Sequence, residues 1–318
     1  MKKAVFLNYA KVDYDNKLDC NKLNKAAEIT LFEKSAPEEI CKKAEGSHIL
    51  ITKELPMGKE IIKNLPSTVE LICEAGTGYN NIDIEAATKK NITVCNIPAY
   101  SSRAVAQLTF TFILSLSSSL TAQQNLLTEK RYDNFTKYMA LNHSEVAGKT
   151  LGVIGAGKIA GEVIKTAVFF GMKVLVYSRT PKVFQEENVS FVSLTELLTN
   201  SDFVTIHCPL NEDTRYLIDQ EKLALMKPSA YLINTSRGAI IKEKDLVEAL
   251  KNRVIAGAAL DVLEQEPGTP DNPLFQLSNC ILTPHIGWQC IETRQRLIDM
   301  LADNIQAFLE GKPINKVN

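Results

Sequence analysis

A chain of 318 residues, 45% apolar and 23% charged with a formal net charge of −1, has ordinary globular composition and enough material for two domains. That near-neutral balance, with no basic block, argues against a nucleic-acid partner, and no apolar run of about eighteen residues reads as a membrane span. Seven cysteines (20, 41, 73, 95, 208, 280 and 290) form no C-x-x-C pair and the four histidines are not at ligand spacing, so reduced thiols, a cytoplasmic location and no metal are expected.

In chain order, Met1-Lys2-Lys3 meets charge too early for a signal peptide and leads into a strand at 4–9. Further strands are predicted at 29–32, 47–52, 69–73 and 92–96. Helices are predicted at 37–44 behind Ser35 as a cap, at 58–64, and at 84–89 after Asp83. This alternation with short links predicts a small parallel doubly wound sheet. Its ligands belong at the carboxyl ends of strands, which singles out the turn after the fourth strand, Ala75-Gly76-Thr77-Gly78-Tyr79-Asn80-Asn81-Ile82-Asp83. Ile97-Pro98-Ala99 reads as a domain boundary. A long apolar helix is predicted at 102–123, followed by an extended connection over 130–145.

The stretch from Lys149 to Thr180 is the organising unit of the chain. Thr150 to Ile154 is a short buried strand, Gly155-Ala156-Gly157 a tight turn, and Ile159, Val163, Ile164, Ala167 and Val168 recur at helical spacing. A second strand, Lys173 to Tyr177, completes a βαβ unit with a dinucleotide fingerprint. Gly155 permits the turn, Gly157 permits close approach of a pyrophosphate, and Ala160 lets the helix pack on the sheet. With Lys158 and Ile159, these residues open a helix whose free N–H groups suit phosphate. After the second strand, Ser178-Arg179-Thr180 stands where an NAD site usually carries an acid. Arg179 suits a 2′-phosphate, with Ser178 and Thr180 as donors, so NADP is favoured over NAD; the other reading has Arg179 stacking on the adenine edge of a site that accepts both.

Strands then continue at 189–192, 203–207, 230–234, 255–260 and 280–282, with helices at 194–199, 220–226 and 242–252. A final amphipathic helix over 288–311 can return to the first domain. The expectation is an α/β chain of two doubly wound parallel-sheet domains. Residues 100–287 form a Rossmann dinucleotide-binding domain inserted into a flavodoxin-like substrate domain of residues 1–99 and 288–318.

Three further strings follow strands: Leu232 to Gly238 (LINTSRG), Asp261 to Pro267 (DVLEQEP) and Leu282 to Trp288 (LTPHIGW). At this point nearly the whole chain resembles the D-isomer-specific 2-hydroxyacid dehydrogenases, through GTGYNNID, VIGAGKIAG, HCPLNEDT, INTSRG, ALDVLEQEP and TPHIGW in that order. The GTGYNNID and TPHIGW forms resemble the glycerate dehydrogenase or hydroxypyruvate reductase branch. The resemblance implies a small 2-ketoacid substrate, hydroxypyruvate or glyoxylate foremost, and a homodimer paired through the 102–123 helix.

By that resemblance His285 is the general acid/base, Glu266 orients and charges its imidazole, and Arg237 grips the substrate. Thr77 and Gly78 offer backbone N–H groups to the substrate carboxylate. Asp261 accepts from the nicotinamide carboxamide, while Cys208, Pro209, Thr214 and Thr235 line the cofactor groove. Glu264 competes with Glu266, and the spacing before Pro267 favours Glu266. Lys53 and Trp288 are candidates to face the crevice; His48, His143 and His207 read as structural. The chain departs from the family at Ser178, and it ends soon after the returning helix, where many phosphoglycerate dehydrogenases carry a regulatory domain. A rival reading is a nucleotide-sensing binding protein that resembles the co-repressors of the same fold; a third keeps the enzyme and changes its substrate.

Overall fold

A computed structural model describes residues 1–180 and 188–318 of the chain. Contacts divide it into two compact units, Met1–Tyr100 with Trp288–Asn318, and Ser101–Gly287.

The first unit alternates strand and helix: β1 (Lys3–Phe6), α1 (Asn21–Ala26), β2 (Glu28–Leu31), α2 (Ile40–Lys43), β3 (Ile49–Thr52), α3 (Lys59–Asn64), β4 (Leu71–Glu74), α4 (Ile84–Lys89) and β5 (Thr93–Cys95). Its sheet runs β2-β1-β3-β4-β5 with every pair parallel, the flavodoxin-like order. β3 and β4 are buried at every residue, as a sheet covered on both faces requires; β2, at the edge, is largely exposed. Local chemistry fixes the helix starts: Asp83 accepts from the Ala86 N–H at 2.9 Å and so caps α4. The Ser35 hydroxyl instead donates to the Leu7 carbonyl, and the expected helix at 37–44 is a 3₁₀ turn, Pro37–Glu39, leading into α2. Polar α1, with only Leu23 and Ala26 buried, had no sequence signal strong enough to predict it.

The second unit begins with α5 (Ser102–Ser117), α6 (Leu120–Thr128) and α7 (Asp133–Thr136). The single helix expected over 102–123 is therefore two, bent by 64°. Ser117 and Ser118 hydroxyls both turn back to the Leu114 carbonyl, and Ser119 takes a left-handed φ of 51°. Serines that bond the preceding turn weaken a helix, and here they end one. α7 likewise interrupts the connection expected to be extended over 130–145. No single helix among the described residues is long and apolar enough to cross a membrane.

The chain continues as β6 (Thr150–Ile154), α8 (Lys158–Phe169), β7 (Lys173–Tyr177), β8 (Val189–Phe191), α9 (Leu194–Asn200), β9 (Phe203–Ile206), α10 (Gln220–Leu225), β10 (Tyr231–Asn234), α11 (Glu243–Lys251), β11 (Gly257–Leu260) and β12 (Cys280–Leu282). Among the described residues its seven strands lie in the order β12-β11-β10-β9-β6-β7-β8, again all parallel. Counted from β6, that is the Rossmann order with a seventh strand added. α5 and α8 cover one face through Phe110, Ile113, Val163, Ile164 and Ala167, while α9, α10 and α11 supply the core on Leu197, Leu223, Leu246 and Leu250.

α12 (Ile291–Leu309) returns to the first unit, shorter at both ends than the expected 288–311. Leu297, Ile298, Leu301 and Ile305 pack with Phe6, Ile49, Ile51 and Leu71. Buried Arg294 pins it further, with two guanidinium bonds to Asp15 at 2.8 and 2.9 Å. A bidentate pair fixes direction as well as contact.

Candidate active site

In the second unit, β6 ends at Ile154 and the chain turns at Gly155 with φ 107°. A Cβ there would lie 2.8 Å from the backbone of His207 and Cys208, so glycine is required twice over. Gly157 is the N-cap of α8 and has nothing within 4 Å of its would-be Cβ. It offers no side-chain cap, which leaves the N–H groups of Lys158, Ile159 and Ala160 without an acceptor in the helix. Open space facing uncapped N–H groups fits a pyrophosphate. Cys208 follows β9, half-buried, its thiol pushed up to about 11 by burial and so unreactive. The Thr214 hydroxyl donates to Pro209 O at 2.6 Å and accepts from Asn211 N at 2.8 Å, closing the turn that carries Pro209. His207 is held neutral, burial lowering its pKa to about 3, and its Nε2 meets Thr205 Oγ1 at 2.9 Å.

At the end of β7, Ser178 is half-buried and Arg179 and Thr180 are exposed. Arg179 Nη1 meets Asp213 Oδ2 at 3.4 Å, both side chains lying largely in solvent. The sequence reading missed Asp213, because only the fold brings residue 213 to residue 179.

Three strand ends, those of β10, β11 and β12, build the rest. After β10, fully buried Asn234 shapes the turn: its Oδ1 accepts from Ser236 N and its Nδ2 donates to Arg237 O, each at 2.9 Å. Thr235 Oγ1 lies 3.3 Å from Thr109 Oγ1 on α5, and Ser236 Oγ donates to Cys208 O at 2.6 Å. Arg237 is half-buried, with Nη1 donating to Ser236 O at 2.9 Å. The next residue must be Gly238, since a Cβ would lie 1.8 Å from the Leu263 carbonyl oxygen. The arginine turn and the loop after β11 are thereby in backbone contact.

That loop separates its two glutamates. Glu264 is tied down: one oxygen accepts from the Tyr216 hydroxyl, the other from Glu243 N at 3.2 Å, while Glu264 N donates to Glu243 at 2.9 Å. Glu266 Oε1 accepts from Leu263 N at 3.0 Å, and its Oε2 lies 2.8 Å from His285 Nδ1. His285 has a left-handed φ of 55°, held by N–H bonds to Asp261 O and Thr283 O. Asp261 is 2% exposed and binds the same turn through its carboxylate, accepting from Thr283 Oγ1, Ile286 N and Gly287 N at 2.6, 2.8 and 2.8 Å. Burial pushes its carboxyl up, and these donors with the His285 charge pull against that.

In the first unit, Ala75 N donates to Thr52 O, Thr77 Oγ1 to Ile97 O and Asn96 Nδ2 to Thr77 O, so the turn after β4 is secured at its carbonyl and side-chain groups. Among the described residues none accepts from the N–H of Thr77 or Gly78. Such a turn can take a carboxylate. Lys53 and Trp288 stack, Nζ 4.1 Å from the ring centroid, and both are buried.

The family model described as "D-isomer specific 2-hydroxyacid dehydrogenase, NAD binding domain" matches residues 110–287. The chain is 35% identical to a hydroxypyruvate reductase of Blautia hydrogenotrophica, over 95% of each chain. It is 36% identical to a glyoxylate reductase of Korarchaeum cryptofilum, over 94% of this chain and 92% of that one. Among solved structures, an acyclic imino acid reductase in complex with NADPH and D-Arg superposes with a TM-score of 0.89 at 29% identity, covering 99% of this chain and 100% of that one.

Proposed function

The chain belongs to the D-isomer-specific 2-hydroxyacid dehydrogenases, and from that premise we propose that it reduces hydroxypyruvate or glyoxylate to the D-glycerate or glycolate level. The observation that carries the reading is the 2.8 Å contact between His285 Nδ1 and Glu266 Oε2. With Nδ1 committed to the carboxylate, proton transfer falls to Nε2. Nε2 gives its proton to the carbonyl oxygen of the ketoacid, Glu266 balances the imidazolium before transfer, and solvent restores the proton afterwards. When bound, the reduced nicotinamide supplies the hydride, two electrons to the carbonyl carbon. The guanidinium of Arg237 takes the carboxylate and polarises the carbonyl, and the Thr77 and Gly78 N–H groups are assigned the carboxylate as well.

Gly155, Gly157, Lys158, Ile159, Cys208, Pro209, Thr214, Thr235 and Asp261 are assigned to the dinucleotide. The exposed guanidinium of Arg179 beside Ser178 and Thr180 favours NADP, although its ion pair with Asp213 opposes a 2′-phosphate. Seven free cysteines suit the cytoplasm. Exposed Leu120, Leu127, Tyr132, Phe135, Tyr138 and Met139 support pairing of two subunits through this region, which sedimentation would detect.

A panel of small 2-ketoacids assayed with NADH and with NADPH tests the assignment. His285→Ala should lower turnover by about 10²-fold or more with dinucleotide affinity nearly unchanged. A variant that kept more than about a tenth of wild-type turnover would remove His285 as the acid.

A further inference from the structure

Beneath the Gly76–Gly78 turn lies a buried ionic cluster that the reaction does not use. Glu74, the last residue of β4, is fully buried, with Oε1 accepting from Glu54 N and Oε2 from Asn81 Nδ2, both at 2.9 Å. Lys53, just past β3, is 2% exposed and donates to Glu54 Oε1 at 2.5 Å. Both side chains lie close to the turn: a Cβ on Gly76 would sit 3.3 Å from Glu74 Oε1 and 3.4 Å from Lys53 Nζ. Asn81, which also donates to Leu55 O at 3.0 Å, belongs to the same loop as Thr77 and Gly78. One carboxylate therefore joins the end of β3 to both limbs of the loop.

A buried carboxylate is a poor way to gain stability, because an apolar residue of similar volume fills such a site at lower cost. What it adds is a charge that protonation removes, beside Gly76 and bonded to Asn81 of the loop whose Thr77 and Gly78 N–H groups suit an anion. We propose that Glu74 is a positioning residue for the Thr77–Gly78 turn and that its charge gates carboxylate binding there. Its two acceptor bonds to Glu54 N and Asn81 Nδ2 brace the loop; ionised, it repels the incoming anion, with Lys53 offsetting part of that repulsion, and protonated it no longer does. The inference rests on the assignment of this turn to the substrate carboxylate.

The titration falls in a useful range. Burial pushes the Glu74 carboxyl up to about 7, against the pull of Lys53, Asn81 and the Glu54 N–H. The groups that face it are Lys53 and Glu54 from the end of β3, Cys73 on its own strand, and beyond Lys53 the Tyr100 phenol. Burial opposes the Lys53 ammonium, but Tyr100, Glu54 and Glu74 outweigh it and raise its pKa, so the cation persists throughout. An anion bound nearby favours neutral Glu74, hence binding takes up a proton near neutrality and affinity falls as pH rises through about 7.

The experiment is calorimetric binding of oxamate, an unreactive isostere of a 2-ketoacid, to the protein saturated with dinucleotide, between about pH 6 and about pH 8.5. Wild type should lose about tenfold in affinity across that range, and Glu74→Gln should flatten the loss and bind more tightly at high pH. Lys53→Met should move the loss to higher pH, because removing the cation lets Glu74 hold its proton longer. A Glu74→Gln protein with the wild-type pH dependence overturns the proposal, as does wild type without any. Should Glu74→Gln fail to fold, an unmoved midpoint in Lys53→Met overturns it instead. Turnover of ketoacids in the same samples reads the proposed reaction separately: turnover without the Glu74-dependent loss sinks only this inference, and the loss without turnover sinks only the reaction.

Discussion

The rim around His285 and the edge around Arg179 belong to one Rossmann unit, yet they are built to different tolerances. At the rim, Asp261, Glu266 and Gly238 brace three strand-end turns with bonds of 2.6 to 3.0 Å and a backbone contact that excludes a methyl group. At the edge, among the described residues, Arg179 is held by one ion pair of 3.4 Å between two largely solvated side chains. Proton transfer needs atoms fixed within tenths of an ångström, whereas choosing between a hydroxyl and a phosphate needs only the local charge. Precision is concentrated where the chemistry demands it.

That contrast is open to attack at both ends. Glu266→Gln removes the counter-charge from His285 and should lower turnover about 10²-fold with dinucleotide affinity intact, while Glu264→Gln should stay near wild type. Similar losses in the two variants would show that the loop, not the carboxylate, matters. Gly238→Ala drives a methyl into Leu263 O and should destabilise the fold by about 1–3 kcal/mol or more, read as a lowered Tm together with reduced turnover. An unchanged Tm would mean that the rim gives way as easily as the edge. Arg179→Ala should weaken NADPH by about tenfold and leave NADH nearly unaffected, as titrated by nucleotide fluorescence. An unaltered NADPH/NADH ratio removes the phosphate role. Asp213→Asn is the mildest test: Tm should not move, and NADPH should tighten by about threefold as Arg179 is released.

How much of this was readable beforehand follows the same division. The βαβ unit, the alternation of strands and helices and the family motifs lie in contiguous residues, so they were legible, whereas the strand orders came with the fold. Glu266 was favoured over Glu264 by spacing alone; the fold adds the reason, because Glu264 is engaged by Tyr216 and Glu243 while Glu266 points to His285. Asp213 was not legible as a partner, since only the fold brings it to Arg179, and Asn234 was not because its bonds to Ser236 N and Arg237 O depend on the local turn geometry. The bend at Ser118 and Ser119 was missed because apolar spacing runs through it, and the competing signal lay in three adjacent serines. Glu74 closes an otherwise apolar strand, where sequence marks an oddity but not the Lys53, Glu54 and Asn81 that surround it.

The central claim is that His285 and Glu266 work as one proton-handling unit, and a double-mutant cycle on turnover of hydroxypyruvate measures it directly. If they do, His285→Ala combined with Glu266→Gln will be no slower than His285→Ala alone, because the carboxylate has nothing left to orient. If the two losses instead multiply, Glu266 acts independently of the imidazole and the account of the site is wrong.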